Sequence, residues 1–582
     1  METDAPGDST LNNSMSRTRS VARRFLVFTL AVVGALCGVI AVIFERYVEA
    51  ARQLMIGAAL GRHGPLRMVL VVAIPTIVFP IIAIAIRRLA PRAVGANLAR
   101  VRMAYNDDPA LLSKRSIAAT FIATPLSLGA GAPLGPEGPI VVITSGISAA
   151  IGRLLNFPRK LVRGMIPVGV AAGIAAVFNT PITGVVFALE EVFGSADRGL
   201  LGGVLVGAVA AAVVEKSLLG GQPLLAAPSS TWTDPRELVG FALVGVIAGL
   251  TSGASIAAAH RLKRAWAARV QSEVVRASMA GFAVGVAGLL APSILGVGYD
   301  SVSFWLHGGG TTQATAIAFA IKTIAFIIAI SAGVLGGSFA PSLFIGTALG
   351  AAIGHGAQGL FPAAGIDPKS YALVGMGAAF AGLLRSPIAA VLIAVELTSD
   401  YALVVPLMLA VSLAVAVSRR ISPLSIVEQQ MMDEGYVEEE RGGDPLARLR
   451  AAEVMSDAPV TIAADSTLAD AIGKRRSAAH RAYPVVDSES RLVGVLRREA
   501  IDAAAEGATV RQLMEEPKLV AVGAEEVLGL VRKMQAKGVD RCPVIESEAS
   551  RRVIGFISPS DILRARIARS RREEEAEFDL FR

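Results

Sequence analysis

At 582 residues, with 53% hydrophobic side chains, 58 glycines and a mean hydropathy of +0.57, this chain is too apolar and too glycine-rich for a soluble protein of its size. Aromatics at 5% argue against an outer-membrane barrel with aromatic girdles. Two cysteines, Cys37 and Cys542, offer neither a disulfide framework nor a metal cluster. The net charge of +8 is not a nucleic-acid signal, because the basic residues flank apolar runs: Arg17, Arg19, Arg23 and Arg24, then Arg87 and Arg88, then Arg261, Lys263 and Arg264. That positive-inside pattern predicts a cytoplasmic N-terminus.

Residues 1–20 are polar and Ser/Thr/Asn-rich and read as a disordered tail. The run 25–44 follows a basic flank without a small-residue cleavage site, so an uncleaved first helix is expected. Further long apolar runs lie at 68–86, 199–214, 239–258, 279–297, 314–335 and 402–417. Others are broken by Gly or Pro: 117–134, 139–152, 163–177, 181–193, 338–353, 371–384 and 386–397. A straight helix needs about 17 residues to cross about 30 Å of hydrocarbon. The shorter pieces must therefore tilt or half-span, shielded by protein. Residues 21–418 thus form a polytopic helical domain, and the charged stretch 419–450 reads as a linker. Residues 451–505 and 508–566 form two similar α/β units, and 567–582 is a charged tail.

The membrane part repeats itself. AAIG occurs at 149–152 and at 351–354, and FNTPITGVVFALEE (178–191) parallels LLRSPIAAVLIAVE (383–396). In that pair Pro181 matches Pro387, and Glu190 matches Glu396, each acid nine residues after its proline. Duplicated halves with broken helices and internal acids are the layout of a transporter whose ion site lies between the repeats.

Four motifs carry chemistry. GPEGP, Gly135 to Pro139, opens an apolar helix; free backbone N–H groups and the helix dipole there attract anions. Glu137 in that turn is itself an anion able to occupy such a site and to leave it when protonated, or else a plain helix cap. GGSFAP, Gly336 to Pro341, opens the matching helix of the second repeat; small-residue helix packing is the alternative. Glu190 and Glu191 follow a long apolar stretch. Burying an ionised acid at mid-membrane costs about 2.5–3.5 kcal/mol on insertion scales, so an acid kept there is a functional hypothesis, and Glu191 is the candidate proton carrier. Tyr401, in SDYALVVP, reads as an anion donor or as an interfacial belt residue. No nucleophile triad, metal-ligand cluster or phosphate loop appears, so no enzyme activity, metal or required cofactor is expected.

Taken together and in this order, the motifs resemble the CLC family of chloride channels and proton-coupled chloride antiporters. GPEGP is similar to the family's GxEGP signature and GGSFAP to its GGxFxP signature. The resemblance implies an all-α polytopic membrane domain with inverted repeats. It makes Glu137 the gating glutamate and places Gly138, Ser338, Phe339 and Tyr401 around the anion. It also makes Glu191 the cytoplasm-facing proton acid, which favours an antiporter over a channel. One motif departs: at APRAVGANLA, Gly95 aligns with the family's GSGIP, but Ala96 replaces the serine and Ala99 the proline. The lost donor is worth about 1.5–3 kcal/mol, and Asn97 is the candidate compensation. Chloride is the leading substrate, with fluoride and nitrate as alternatives. The 451–566 pair resembles tandem CBS domains, which implies an adenine nucleotide held by Ser558 and Asp561 in GFISPSDIL. In the first copy, GVLRREAI has Glu499 and arginines there instead. The expected whole is an inner-membrane chloride/proton antiporter, a homodimer with both termini cytoplasmic and no nucleic-acid partner. A passive chloride channel and a nucleotide-regulated sensor are the rivals.

Overall fold

A computed structural model describes residues 8–567 except 91–96, 194–197, 221–224, 226–231, 233, 399–400, 435, 437–445, 447–448, 458, 478–480, 506–507 and 566. Ala96 and nearly all of the charged tail lie outside the described residues. The chain divides into two units: Arg24–Glu438, and a second made of Met1–Arg23 with Glu439–Arg582.

In the first half α1 (Asp8–Arg52) runs on through a wide π-turn into α2 (Ala58–Leu60). There follow α3 (Gly64–Leu89), α4 (Leu98–Asn106), α5 (Lys114–Gly129), α6 (Glu137–Leu154), α7 (Arg159–Phe178), α8 (Pro181–Ala188) and α9 (Arg198–Leu219). The second half repeats the order: α10 (Glu237–Arg269), α11 (Glu273–Leu290), α12 (Tyr299–Leu306), α13 (Thr312–Ser331), α14 (Phe339–Leu360), α15 (Pro368–Leu384), α16 (Pro387–Thr398) and α17 (Val404–Ile421). A final α18 (Ile426–Asp433) has no counterpart among the described residues of the first half. Packing repeats as well: α6 lies on α7 as α14 lies on α15, and α8 meets α16 across the repeat boundary. Gly34 sits against Gly207 of α9, and Gly245 against Ala410 of α17, at the same stage of each half.

Eight of the described helical stretches are long and apolar enough to cross a membrane. Three expectations change. Helix α1 begins at Asp8, inside the stretch read as a tail, because extending a formed helix costs little once it is nucleated. The run 163–177 extends to the 20 residues Arg159–Phe178, since the polar first turn (Arg159, Lys160, Arg163) is invisible to an apolar pattern. And α18 falls in the presumed linker yet belongs to the membrane unit: Ile426, Val427 and Met431 join its core.

The short helices are held at their ends by side chains. Glu190, beyond the end of α8, accepts the backbone N–H groups of Ile388 (3.0 Å) and Ala389 (2.8 Å) at the start of α16. Glu396, on α16, accepts those of Ile182 (3.0 Å) and Thr183 (2.6 Å) at the start of α8. Each repeat's acid therefore caps the other's helix, neutralising orphan donors and the positive dipole end.

The C-terminal unit holds two small sheets. One has the order β2 (Ile462–Ala463), β3 (Ala482–Val486), β4 (Leu492–Arg497). The other has the order β1 (Ser456–Asp457), β7 (Val553–Ile557), β6 (Cys542–Ile545), β5 (Ala521–Val522). The strand at Ser456 opens the first copy but pairs with the second copy's Phe556 and Gly555. Glu515, leading the second copy, exchanges both backbone bonds with Val495 of the first, each at 2.9 Å. The two copies are thus interleaved rather than self-contained.

Candidate functional site

Glycine makes the centre possible. Gly135 N donates to the Gly337 carbonyl at 2.9 Å, and Gly337 N donates to the Gly135 carbonyl at 2.7 Å. This two-bond bridge pins the entrances of α6 and α14 together. A Cβ at Gly337 would lie 2.7 Å from Gly138 N, and one at Gly138 would lie 3.1 Å from Gly337 Cα. Only a residue without a side chain allows that approach.

Glu137 is the first residue of α6 and is 1% exposed. Its Oε2 accepts the backbone N–H of Ala340 in the first turn of α14, at 3.3 Å. Its Oε1 accepts the phenolic O–H of Tyr299, the first residue of α12. A carboxylate thus rests on the N-terminus of the opposite repeat's helix, where dipole and free N–H groups attract negative charge. Phe339 walls the spot: it stacks on Phe178 at 5.0 Å and meets Phe187 and Phe380 edge-on at 5.6 and 4.5 Å.

Beside Glu137 lies a cavity of about 20 Å³, close to the space one water or small ion occupies. Its lining brings together Asn97, Glu137, Gly138, Ser338 and Phe339. Asn97 N-caps α4, its Oδ1 accepting Arg100 N at 3.4 Å. Its Nδ2 donates to Gln430 Oε1 at 2.8 Å. Asn97, Gly336 and Gln430 also line a vestibule of about 460 Å³, whose other walls carry His260, Lys263, Arg276, Asp433 and Glu434. The amide pair stands where chamber and vestibule adjoin.

Tyr401 does not join this group. It is 76% exposed and precedes α17, whose 18 residues rise about 27 Å at 1.5 Å each. Part of the chamber's wall comes instead from α18, one helix later, through Val427 and Gln430. The signal missed was the capping box Ser425–Glu428, which marks a helix start inside the supposed linker. Tyr299 carried no sequence signal at all.

Glu191 lies in a π-turn, 3% exposed, and accepts the Ser386 hydroxyl. Arg102 Nη1 is 4.0 Å from its Oε2, and Arg102 Nη2 is 3.6 Å from Glu428 on α18. Arg100 lies 3.7 Å from Glu434. Two of these contacts tie α4 to α18 and its C-terminal cap, and the third ties α4 to Glu191.

In the C-terminal unit, Asp561 is 6% exposed and engaged by the chain itself. Its Oδ2 accepts Ser558 N at 3.0 Å and Ser558 Oγ at 2.5 Å, and its Oδ1 accepts Ser456 Oγ at 2.9 Å. The carboxylate that the resemblance assigns to ribose also caps the start of the helix there. Both oxygens are engaged because β1 crosses into the second copy's sheet and brings Ser456 to Oδ1, which keeps further acceptor capacity.

Residues 77–419 match the family model described as voltage gated chloride channel. This chain belongs to the CLC family. Residues 451–507 and 510–568 match the CBS domain model. A ClcB-like chloride channel protein of Ralstonia nicotianae is 33% identical over 304 residues, covering 52% of this chain and 71% of that protein. The H(+)/Cl(-) exchange transporter ClcA of Salmonella typhi is 26% identical over 393 residues, covering 66% of this chain and 83% of the relative. The crystal structure of a eukaryotic CLC transporter superposes with a TM-score of 0.64 at 18% identity, over 94% of this chain and 98% of that one. The chain is accordingly a multi-pass membrane protein of an anion-transport family, with a tandem CBS unit, and not an enzyme.

Proposed function

We propose that this chain is a proton-coupled anion antiporter with Glu137 as its gate. The observation that carries the reading is the Glu137 carboxylate lying on Ala340 N, at the start of the opposite repeat's helix. An acid there takes the place of the transported anion. Protonation removes its charge and with it the attraction of the helix end. The neutral side chain leaves, and an anion enters against the N–H groups of Ser338 and Phe339 and beside Gly138. Glu191 delivers the proton from the cytoplasmic side, apart from the anion's route. Exchange follows because proton and anion compete through one carboxylate.

Chloride is the favoured substrate, with fluoride and nitrate as alternatives, because Asn97 supplies an amide beside the alanine at position 96. The buried Glu191 and the exchange activity in the name of the Salmonella relative favour antiport over a passive channel. The reading includes an inner-membrane homodimer with one pathway per subunit and cytoplasmic termini. Adenine nucleotide at the CBS pair enters as a proposal in which Asp561 must first release Ser558 and Ser456.

In liposomes, Glu137→Gln should stop proton movement while anion flux persists. If both continue unchanged, the mechanism is wrong. Reversal potentials under a pH gradient separate the channel alternative, which ignores the gradient.

A further inference from the structure

Lys322 is fully buried on α13, with 0% exposure. Among the described residues no carboxylate pairs with it. Its ammonium instead donates to three carbonyls: Ile294 at 2.9 Å, Gly296 at 2.7 Å and Val297 at 3.4 Å. It also lies 4.7 Å from the centre of the Phe344 ring. An ammonium withdrawn from water inside a membrane protein is expensive, and its retention asks for a function.

The three carbonyls belong to one turn, between α11 and α12. The turn passes through Gly298, in the left-handed region at φ +87°, directly into Tyr299. A Cβ on Gly298 would come within 2.7 Å of the Phe344 ring, the same ring that faces Lys322. Lysine, ring and turn form one packed unit whose next residue is Tyr299. The Tyr299 hydroxyl donates to Glu137, and its ring meets Phe178 edge-on at 6.3 Å. Beyond the turn of its own helix, Glu137 takes its donors from the other repeat: the Tyr299 hydroxyl and the Ala340 N–H.

We propose that Tyr299 is the docking partner that holds the Glu137 carboxylate in its plugging position, and that Lys322 is the positioning residue that sets Tyr299 there by gripping the turn before it. The proposal rests on the gating role of Glu137. A carboxylate accepting this hydroxyl gains a charge-assisted hydrogen bond, and an arriving anion must displace it from the phenol as well as from Ala340. The strength of the Tyr299 contact therefore sets how much anion is needed to open the site.

The full-length chain in liposomes, with chloride as the probe, tests this. Tyr299→Phe keeps the ring on Phe178 and removes only the hydroxyl. It should lower the apparent KM for chloride roughly tenfold, the worth of one hydrogen bond to a charged acceptor. In a Glu137→Ala background the same change should leave KM where Glu137→Ala alone puts it, because no carboxylate remains to be held. Lys322→Met should reproduce the Tyr299→Phe shift, and Lys322→Arg, which keeps the charge and donors, should restore the parent value. If Lys322→Met does not fold, Lys322→Gln carries the same comparison. A KM shift from Tyr299→Phe that is equal in both backgrounds, or absent in both, overturns the docking role. A parent-like KM in Lys322→Met overturns the positioning role. Glu137→Ala alone serves as the separate control: if it changes neither coupling nor KM, the gating reading fails, whatever Tyr299 does.

Discussion

The side-chain amide of Asn97 donates to that of Gln430 at 2.8 Å, across 333 residues of sequence. The pair borders both the 20 Å³ chamber and the 460 Å³ vestibule. Gln430 sits on the eight-residue α18, so part of the chamber's wall is a short helix held by side-chain ties.

If that amide pair closes the inner mouth, Gln430→Ala should let anions pass without waiting for the proton step. The chloride-to-proton flux ratio, measured in liposomes with paired electrodes, should rise several-fold while Glu137 remains intact. An unchanged ratio would show that the pair is not the constriction. Asn97→Ala should have the same sign with a larger effect, since Asn97 also caps α4 through Arg100 N.

Arg102 stands between Glu191 and Glu428, at 4.0 Å and 3.6 Å. On the proposed reading, taking up a proton at Glu191 weakens one side of that bridge, because Glu191 and Glu428 of α18 share the Arg102 cation. Arg102→Gln should reduce proton flux several-fold more than chloride flux. Glu191→Gln should abolish proton flux and make the Arg102 change silent for it. Two independent, multiplying effects on chloride flux would argue that the bridge is only structural.

The reciprocal caps make a stability prediction. Replacing Glu190 by Ala leaves the first N–H groups of α16 without acceptors; Glu396→Ala does the same to α8. Each should cost about 1–2 kcal/mol, the usual range for a lost N-cap. Thermal unfolding in detergent measures it, and Glu→Asp, which retains a carboxylate, should recover part of the loss. A loss below about 0.3 kcal/mol, within the range of an ordinary surface substitution, would mean water replaces the caps.

Burial pushes the Cys542 thiol in the C-terminal unit from 9.0 up to about 12. Well below pH 9 the thiol is protonated whether folded or not, so it adds no pH dependence there. Between 9 and about 12 the unfolded chain releases a proton that the folded unit keeps, so folding stability falls as pH rises through that window. At pH 7.5 a maleimide should label Cys542 only on unfolding, because the reactive thiolate is missing and the sulfur is buried. Prompt labelling of the native protein would contradict this. In a Cys37→Ser variant the labelling rate reports opening of the C-terminal unit alone.

Much of this protein was legible in its residues because the relevant signals are local. Gly-Pro-rich helix starts, the proline-to-glutamate spacing written twice and the break in composition near 419 each depend on neighbours in the chain. They yield helices, repeats and the candidacy of Glu137, Gly138, Ser338 and Phe339. The same locality misled at one place. Tyr401 lies beside an apolar helix, as an anion donor should, yet it lies the length of α17 away from α18. Asp561 lies in a strand-to-helix turn, as the resemblance requires of a ribose ligand, but that β1 brings Ser456 to the same carboxylate was not legible from neighbours in the chain.

What the tertiary structure alone decided is which polar groups meet. Tyr299 and Glu137 are 162 residues apart, Asn97 and Gln430 are 333, and Glu190 caps a helix 198 residues downstream. A hydrogen bond needs its partners placed to within a few tenths of an ångström, and that placement comes from helix packing summed over both repeats. The residues write which groups seek a partner; packing in three dimensions determines which partner each one finds.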